Sequence, residues 1–399
     1  MDSNKKNILI LFLTLVIVMM GFGMIIPILP FYIKEFGASG SAMGVLMAAY
    51  AVMQFLFSPV WGSLSDRYGR KPLLLLGLAG NAFAMVLSGL STELWMLIAS
   101  RALAGILSSA TLPTAMAFVG DSTSEKDRGG GMGMMGAAMG VGMVLGPGLG
   151  GWLAEGSLSM PFFIAAALSV LAMLGIIFFL PESLLPEKRK HGEGRGFRGP
   201  QLKEMWQALF SPIGILLLLA FLLSFGMTNF ESIFGLYAVE KFAYGPKDVG
   251  TILTVIGILS AVMQGGLTGP LTKRWGETVV IRASLLGSAV GFLVMLAAFN
   301  YTTVLLTVGL FIISVAMLRP SVSSLTSRRA GEIGQGTAMG LNNSFMSLGR
   351  IVGPLWAGAI FDFHIYMPYI SGAVIMLVGF AVSMIWLSPE NDYQPKRSK

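Results

Sequence analysis

The stretch Gly62-Ser63-Leu64-Ser65-Asp66-Arg67-Tyr68-Gly69 lies between two long apolar runs. A related stretch, Gly269-Pro270-Leu271-Thr272-Lys273-Arg274-Trp275-Gly276, stands 207 residues later in the same setting. At that offset Gly142-x-x-x-Gly146-Pro147 returns as Gly349-x-x-x-Gly353-Pro354, and Pro113 as Pro320. Three matches at one offset indicate an internal duplication. Outward from these landmarks the chain alternates apolar runs with short polar loops. A membrane-crossing helix takes about 20 predominantly apolar residues. That length gives twelve predicted spans, near residues 8–33, 43–64, 73–92, 95–120, 129–154, 160–180, 213–239, 248–270, 278–298, 302–326, 335–360 and 366–388. The expected fold is all-α: twelve transmembrane helices in two pseudo-symmetric six-helix bundles.

The composition agrees. Of 399 residues, 54% are hydrophobic and 12% charged, more apolar surface than one soluble core can bury. The first run follows Lys5 and Lys6 like a signal peptide. It is too long for one, carries Pro27 and Pro30 and leads into another span, so it reads as retained. With no cysteine and only His191 and His364, neither disulfides nor a thiolate metal site can form, and no metal or cofactor is expected.

The net charge of +7 is not gathered on a nucleic-acid-binding face. With Met1 inside, one set of loops carries Lys5, Lys6, Arg67, Arg70, Lys71, Lys126, Arg128, Lys188, Arg189, Lys190, Arg195, Arg198, Lys203, Lys273, Arg274, Arg282, Arg328, Arg329, Lys396, Arg397 and Lys399. The other set carries Lys34, Lys241 and Lys247. This bias places both termini in the cytoplasm and the chain in the cell membrane. The longest hydrophilic stretch, near 181–211, divides the spans six and six. The organisation is an N-terminal half 1–185, a linker 186–211 and a C-terminal half 212–399, with Lys188-Arg189-Lys190 as a solvated, lipid-facing run. Two similar halves in one orientation suggest alternating access, in which a substrate is carried and not altered.

The residues that carry these landmarks resemble the major facilitator superfamily. Gly62-x-Leu64-x-Asp66-Arg67-x-Gly69-Arg70-Lys71 is similar to its signature between spans two and three. There the glycines would permit a tight turn and close helix approach, and Asp66 would meet a helix N-terminus or an arginine. Gly142-x-x-x-Gly146-Pro147-x-x-Gly150-Gly151 resembles the motif of drug and proton exchangers, with small residues for close packing and a proline that bends the span. Arg101-Ala102-Leu103-Ala104-Gly105 resembles a third motif, in span four. Further stretches resemble the NorA-like group of bacterial quinolone and multidrug exporters. They are Ile26 to Pro30, Ser224-Phe225-Gly226, Phe230-Glu231, Gly245 to Asp248, Arg319-Pro320 and Gly340-Leu341-Asn342. The resemblance implies proton-coupled export of small amphipathic drugs and dyes by a monomer in contact with membrane lipid.

Glu231 is the only carboxylate well inside a predicted span. Burial disfavours its charged form, which makes it the candidate proton carrier, a role the resemblance also implies. The alternative is a permanent ion pair with Arg101, Arg319 or Arg350, the three arginines placed inside spans. Two departures from the group stand out. A second carboxylate is usual three residues before the Arg-Pro pair, where this chain has Ala316, and Arg350 replaces a residue that is often neutral. Coupling through Glu231 alone, a different proton stoichiometry or pH dependence, or weaker coupling are the alternatives that Ala316 leaves, and Arg350 makes a preference for neutral, zwitterionic or anionic substrates an expectation. Cavity candidates are Tyr50, Gln54, Asn229, Phe230, Phe234, Asn342 and Phe345, with the 27 methionines as an adaptable lining.

Gly131-x-Gly133-x-x-Gly136 matches a nucleotide fingerprint, but no strand precedes it, and no P-loop sequence exists to bind ATP. An integral membrane enzyme would need converging catalytic groups, and neither the two histidines nor a pair of acids on one embedded helix face supplies them. The remaining alternative is an exporter or importer of a single native metabolite, such as a sugar or an amino-acid derivative. The few polar groups in the spans, Gln54, Asn229, Gln264, Asn342 and Asn343, favour hydrophobic cargo instead.

Overall fold

In hydrocarbon every backbone N–H and C=O must be satisfied within the chain, so each apolar run closes on itself as a helix. The computed structural model describes residues 3–124, 127–185, 187, 189 and 202–387. Among them no strand occurs, and twelve helices are long and apolar enough to cross a membrane. Spans one to six are Lys6–Glu35, Gly40–Tyr68, Arg70–Gly89, Leu94–Ser122, Arg128–Leu153 and Met160–Phe179. Spans seven to twelve are Gly214–Phe242, Pro246–Trp275, Glu277–Met295, Tyr301–Arg328, Gln335–Phe361 and Met367–Trp386. The all-α, twelve-span expectation holds. Of the expected linker, residues 186, 188 and 190–201 lie outside the described residues, as do Lys126, Lys396, Arg397 and Lys399; Leu202–Ala208 form a short helix.

Three spans are interrupted, each for a local reason. Pro27 has no N–H to donate, and span one breaks there into Ser3–Ile25 and Leu29–Glu35. Span four breaks between Ser108 and Thr111, ahead of Pro113. There the Ala110 amide turns back to the Leu107 carbonyl at 3.3 Å. This frees the Ile106 carbonyl, which accepts from Trp61 Nε1 of span two at 2.6 Å and from Ser109 Oγ at 2.8 Å. Span eight widens into a π-helical turn at Met263–Leu267, whose Met263 carbonyl accepts from Thr268 Oγ1 at 2.9 Å.

Two compact units emerge: Met1–Pro200 with Ala238–Thr254, and Gln201–Tyr237 with Val255–Lys399. In the first, spans one and five share the most extensive helix contact. Glycines make it possible. A Cβ on Gly142 would lie 2.6 Å from the Val16 carbonyl oxygen and 2.8 Å from the Met20 amide, and one on Gly146 would lie 2.6 Å from the Met20 carbonyl oxygen. The second unit repeats the contact between spans eleven and seven. A Cβ on Gly349 would meet the Phe221 carbonyl oxygen at 2.6 Å and the Phe225 amide at 2.8 Å. Leu11, Leu15, Leu74, Phe118, Met135 and Ile176 fill the core of the first unit beside this seam.

Nearer the start of span five the same helix is open. A Cβ on Gly136 or Gly140 would meet nothing within 4 Å. Gly142→Val must therefore push backbone from backbone, at a cost of about 1–3 kcal/mol or more. Gly136→Ala is neutral or gains up to about 1 kcal/mol in helix propensity. Thermal unfolding in detergent, followed by size-exclusion of the remaining folded fraction, should lower the midpoint for the first variant and not for the second.

Candidate functional site

The junction between spans two and three is a single residue. Span two stays helical through Tyr68, four residues past its predicted end near residue 64, so the whole of Gly62 to Tyr68 is helix. Gly69 alone turns the chain, with φ 108, and span three begins at Arg70. Glycine is required there twice over, because a Cβ would also strike the Glu182 carboxylate. Gly62 neither turns nor packs closely; a Cβ there would meet nothing within 4 Å. Asp66 pairs with Arg70 Nη1 at 2.6 Å, one turn away, and Arg70 Nε reaches Asp121 of span four at 2.9 Å. Arg67 is exposed, its guanidinium over the Tyr68 ring.

The helix N-terminus expected to meet Asp66 is held by another acid. Glu182, just past span six, accepts from the amides of Arg70 at 2.9 Å and Lys71 at 3.2 Å, and from Ser183 and Leu184 at 3.0 and 3.1 Å. The free amides of a helix start carry partial positive charge that a carboxylate satisfies. Sequence reasoning missed Glu182. Its signal was its place, directly after Pro181 at the end of an apolar run.

The second unit repeats this bracket with the charges reversed. Gly276 turns the chain with φ 80, and Glu277, the counterpart of Arg70, begins span nine. Its carboxylate pairs with Arg328, the counterpart of Asp121, at 2.8 Å and accepts from Ser324 Oγ at 3.1 Å. Lys273 stands where the first unit has Asp66.

At mid-span the first unit holds Arg101, 1% exposed, against the rings of Tyr50 and Phe22, with its guanidinium carbon 5.0 and 5.8 Å from their centres. Tyr50 and Gln54 are half-buried and joined, Gln54 Nε2 donating to Tyr50 Oη at 3.4 Å. In the second unit Glu231 is half-buried in span seven, and the charge acting on it is the Arg350 guanidinium of span eleven. Arg319 is exposed on span ten, and Ala316 is buried one turn before it.

A family model of the Major Facilitator Superfamily matches residues 11–354 and, in a second alignment, 216–399. The chain belongs to the major facilitator superfamily. It is 33% identical over 391 residues to Multidrug resistance protein 2 of Bacillus subtilis, covering 98% of each chain. It is 33% identical over 385 residues to Quinolone resistance protein NorA of Staphylococcus aureus, covering 96% of each. Among solved structures, the human organic anion transporter MFSD10 (TETRAN) superposes with a TM-score of 0.70 at 25% identity, over 96% of this chain and 100% of that one. As a member of this superfamily the protein is a multi-pass membrane transporter and not an enzyme.

Within this superfamily fold the remaining candidates fall into two groups. Tyr50 and Gln54 keep accessible surface beside Arg101. Asn229, Phe230, Phe234, Asn342 and Phe345 are buried, at 0, 0, 2, 1 and 6% exposure. Phe230 packs its ring at a tilt against Phe234 and Phe311, with ring centres 5.0 and 5.1 Å apart, and Phe292 continues the aromatic core. Asn229 Nδ2 donates to the Pro368 carbonyl at 3.0 Å and so ties span seven to the first turn of span twelve. Gly150 and Gly151, the last residues of the exchanger motif, meet the backbone of Met24 on one side and of Pro246 and Gly250 on the other, all in the first unit.

Arg70 places a positive charge at a helix start, where the dipole is unfavourable, and Glu182 offsets it. Glu277 is already favourable in the equivalent place. Glu182→Gln should therefore cost the folded protein about 2 kcal/mol, the scale of charge-assisted hydrogen bonds. In an Arg70→Glu/Asp121→Arg background, the further change Glu182→Gln should cost nothing or stabilise. Thermal midpoints of the four proteins in detergent decide it.

Proposed function

We propose that the protein exports small amphipathic compounds from the cytoplasm in exchange for protons, with Glu231 as the coupling group. The observation that carries this reading is Glu231 itself. Among the described spans it is the one acid set at mid-depth, half-buried and within the electrostatic reach of Arg350. Exchange needs a group that holds a proton in one state and releases it in another, and a partly accessible carboxyl in an apolar bundle has both forms within reach. Near full-length similarity to two proteins named for multidrug and quinolone resistance supports export and a broad cargo.

In this reading the two six-span halves alternate access about the linker, both termini face the cytoplasm, and the Gly69 and Gly276 turns with their charge brackets keep each half rigid as it moves. Span five, locked by Gly142, Gly146 and Gly150, moves with span one as one body. Protonation of Glu231 releases the carboxylate charge opposite Arg350, and that change in local charge is what ties cargo affinity to the proton. A second reading draws on the charge inventory. The spans hold three arginines and one carboxylate, and Ala316 removes the usual second acid. Together with similarity to an organic anion transporter, this supports neutral, zwitterionic or anionic amphipaths as cargo.

Energised efflux from cells of two fluorescent dyes, one cationic and one anionic, tests the coupling. The parent protein should extrude dye, and both Glu231→Gln and a protonophore should reduce efflux to the passive leak. Efflux that survives Glu231→Gln but not the protonophore would move the coupling site elsewhere. No efflux from the parent would favour a single native metabolite as cargo.

A further inference from the structure

Arg101 is buried, and among the described residues no carboxylate pairs with it. Among the described residues of 1–185 every Asp and Glu falls in a loop or at a span end: Glu35, Asp66, Glu93, Asp121, Asp127, Glu155 and Glu182. Nε and Nη1 of Arg101 have no hydrogen-bond partner among the described residues. A guanidinium at membrane depth costs at least about 2.5 kcal/mol on insertion scales, and its five N–H donors normally require acceptors. The rings of Tyr50 and Phe22 relieve part of that cost by cation–π attraction. Ring faces do not accept the in-plane N–H groups, so the fork of donors is left over.

The surroundings hold that fork in a fixed attitude. Ser108 Oγ donates to the Ala104 carbonyl at 2.6 Å, so its 3.2 Å contact with Tyr50 Oη is one in which Tyr50 donates. Gln54 Nε2 donates to the same Tyr50 oxygen at 3.4 Å. The chain of bonds runs from Gln54 through Tyr50 to Ser108 and pins the Tyr50 ring against the guanidinium. Gly105, one turn after Arg101, brings spans two and four together at this level. A Cβ there would lie 2.5 Å from the Tyr50 carbonyl oxygen. Tyr50, Gln54 and Phe22 keep part of their surface accessible.

We propose that Arg101, clamped by Tyr50 and Phe22 in the first unit, is a recognition site for the carboxylate of an amphipathic cargo. A planar carboxylate matches the guanidinium fork with two parallel hydrogen bonds and supplies the missing counter-charge. The two rings give an aromatic body beside that carboxylate a surface to stack on. This rests on the export reading above for its biological direction, but the site itself is a matter of binding.

The test compares dansyl-phenylalanine with its neutral amide, two probes of nearly one shape that differ in the carboxylate, by fluorescence titration of the purified protein in detergent. The parent should bind the acid about tenfold tighter than the amide, the scale of a charge-assisted pair. Arg101→Gln should lose that preference, with a larger loss for the acid than for the amide. Arg101→Lys, which keeps the charge but not the fork, should retain part of it, and Tyr50→Leu should weaken both probes while preserving the preference. Equal affinity of the parent for acid and amide overturns the proposal, whether or not any variant folds. So does an equal loss of both probes in a folded Arg101→Gln protein. Dye efflux separates the two readings: a parent that extrudes dye but binds acid and amide alike keeps export and loses the anion site. A parent that prefers the acid but extrudes nothing keeps the site and loses export.

Discussion

Charge carried into hydrocarbon has no water to satisfy it, and that single cost arranges nearly everything in this chain. It empties the spans of ionised groups and drives the other acids and bases to the span ends and loops. The two charged residues that open spans three and nine are there with partners. Arg70 has two carboxylates, and Glu277 has Arg328. Four groups remain well inside: Arg101, Glu231, Arg319 and Arg350.

The duplication shows how a structural charge survives inversion of its sign. An ion pair is symmetric under exchange of charge, so Arg70–Asp121 and Glu277–Arg328 join equivalent helices equally well. A helix dipole is not symmetric, and this difference propagates. The unit with arginine at the helix start has recruited Glu182 from beyond span six to meet the bare amides. The other unit carries the acid in the first helical position itself. Glu182 reaches that helix start from more than 100 positions away in sequence.

The fold was legible because hydropathy over 20 residues is a strong signal and the glycine motifs mark where backbones touch. Gly142, Gly146, Gly349 and Gly353 fill the role their spacing implied. Legibility fell where a residue's role depends on partners distant in sequence. Gly62 belongs to the motif yet meets nothing, while Glu182 and Glu277 lie outside every motif considered and hold the span starts together. The breaks in spans four and eight were equally unreadable, since they turn on which side chain takes a freed carbonyl. Of the cavity candidates, polarity and aromaticity could not tell Tyr50 and Gln54, which keep accessible surface, from Asn229, Phe230, Phe234, Asn342 and Phe345, which the helices bury.

The duplication also separates structural residues from working ones. Gly142 meets Val16, Met19 and Met20, and Gly349 meets Phe221, Ser224 and Phe225, each 205 residues later, so packing fixes the register of spans one and seven. In that register Glu231 corresponds to Ile26. Pro113 and Pro320 align span four with span ten, which sets Arg101 against Val308 and Arg319 against Leu112; the shared glycines of spans five and eleven set Arg350 against Met143. Each of the four mid-membrane charges therefore aligns with an apolar residue in the other half, whereas the turn glycines Gly69 and Gly276, the seam glycines Gly142, Gly146, Gly349 and Gly353, and the prolines Pro113, Pro147, Pro320 and Pro354 recur. Packing within a half is the same problem solved twice, so its solutions repeat. A cargo that crosses once has no reason to be met by the same groups from both halves. An anion held from the first unit by Arg101 and a proton held in the second by Glu231 would be a division of labour that only an asymmetric pair of halves can supply.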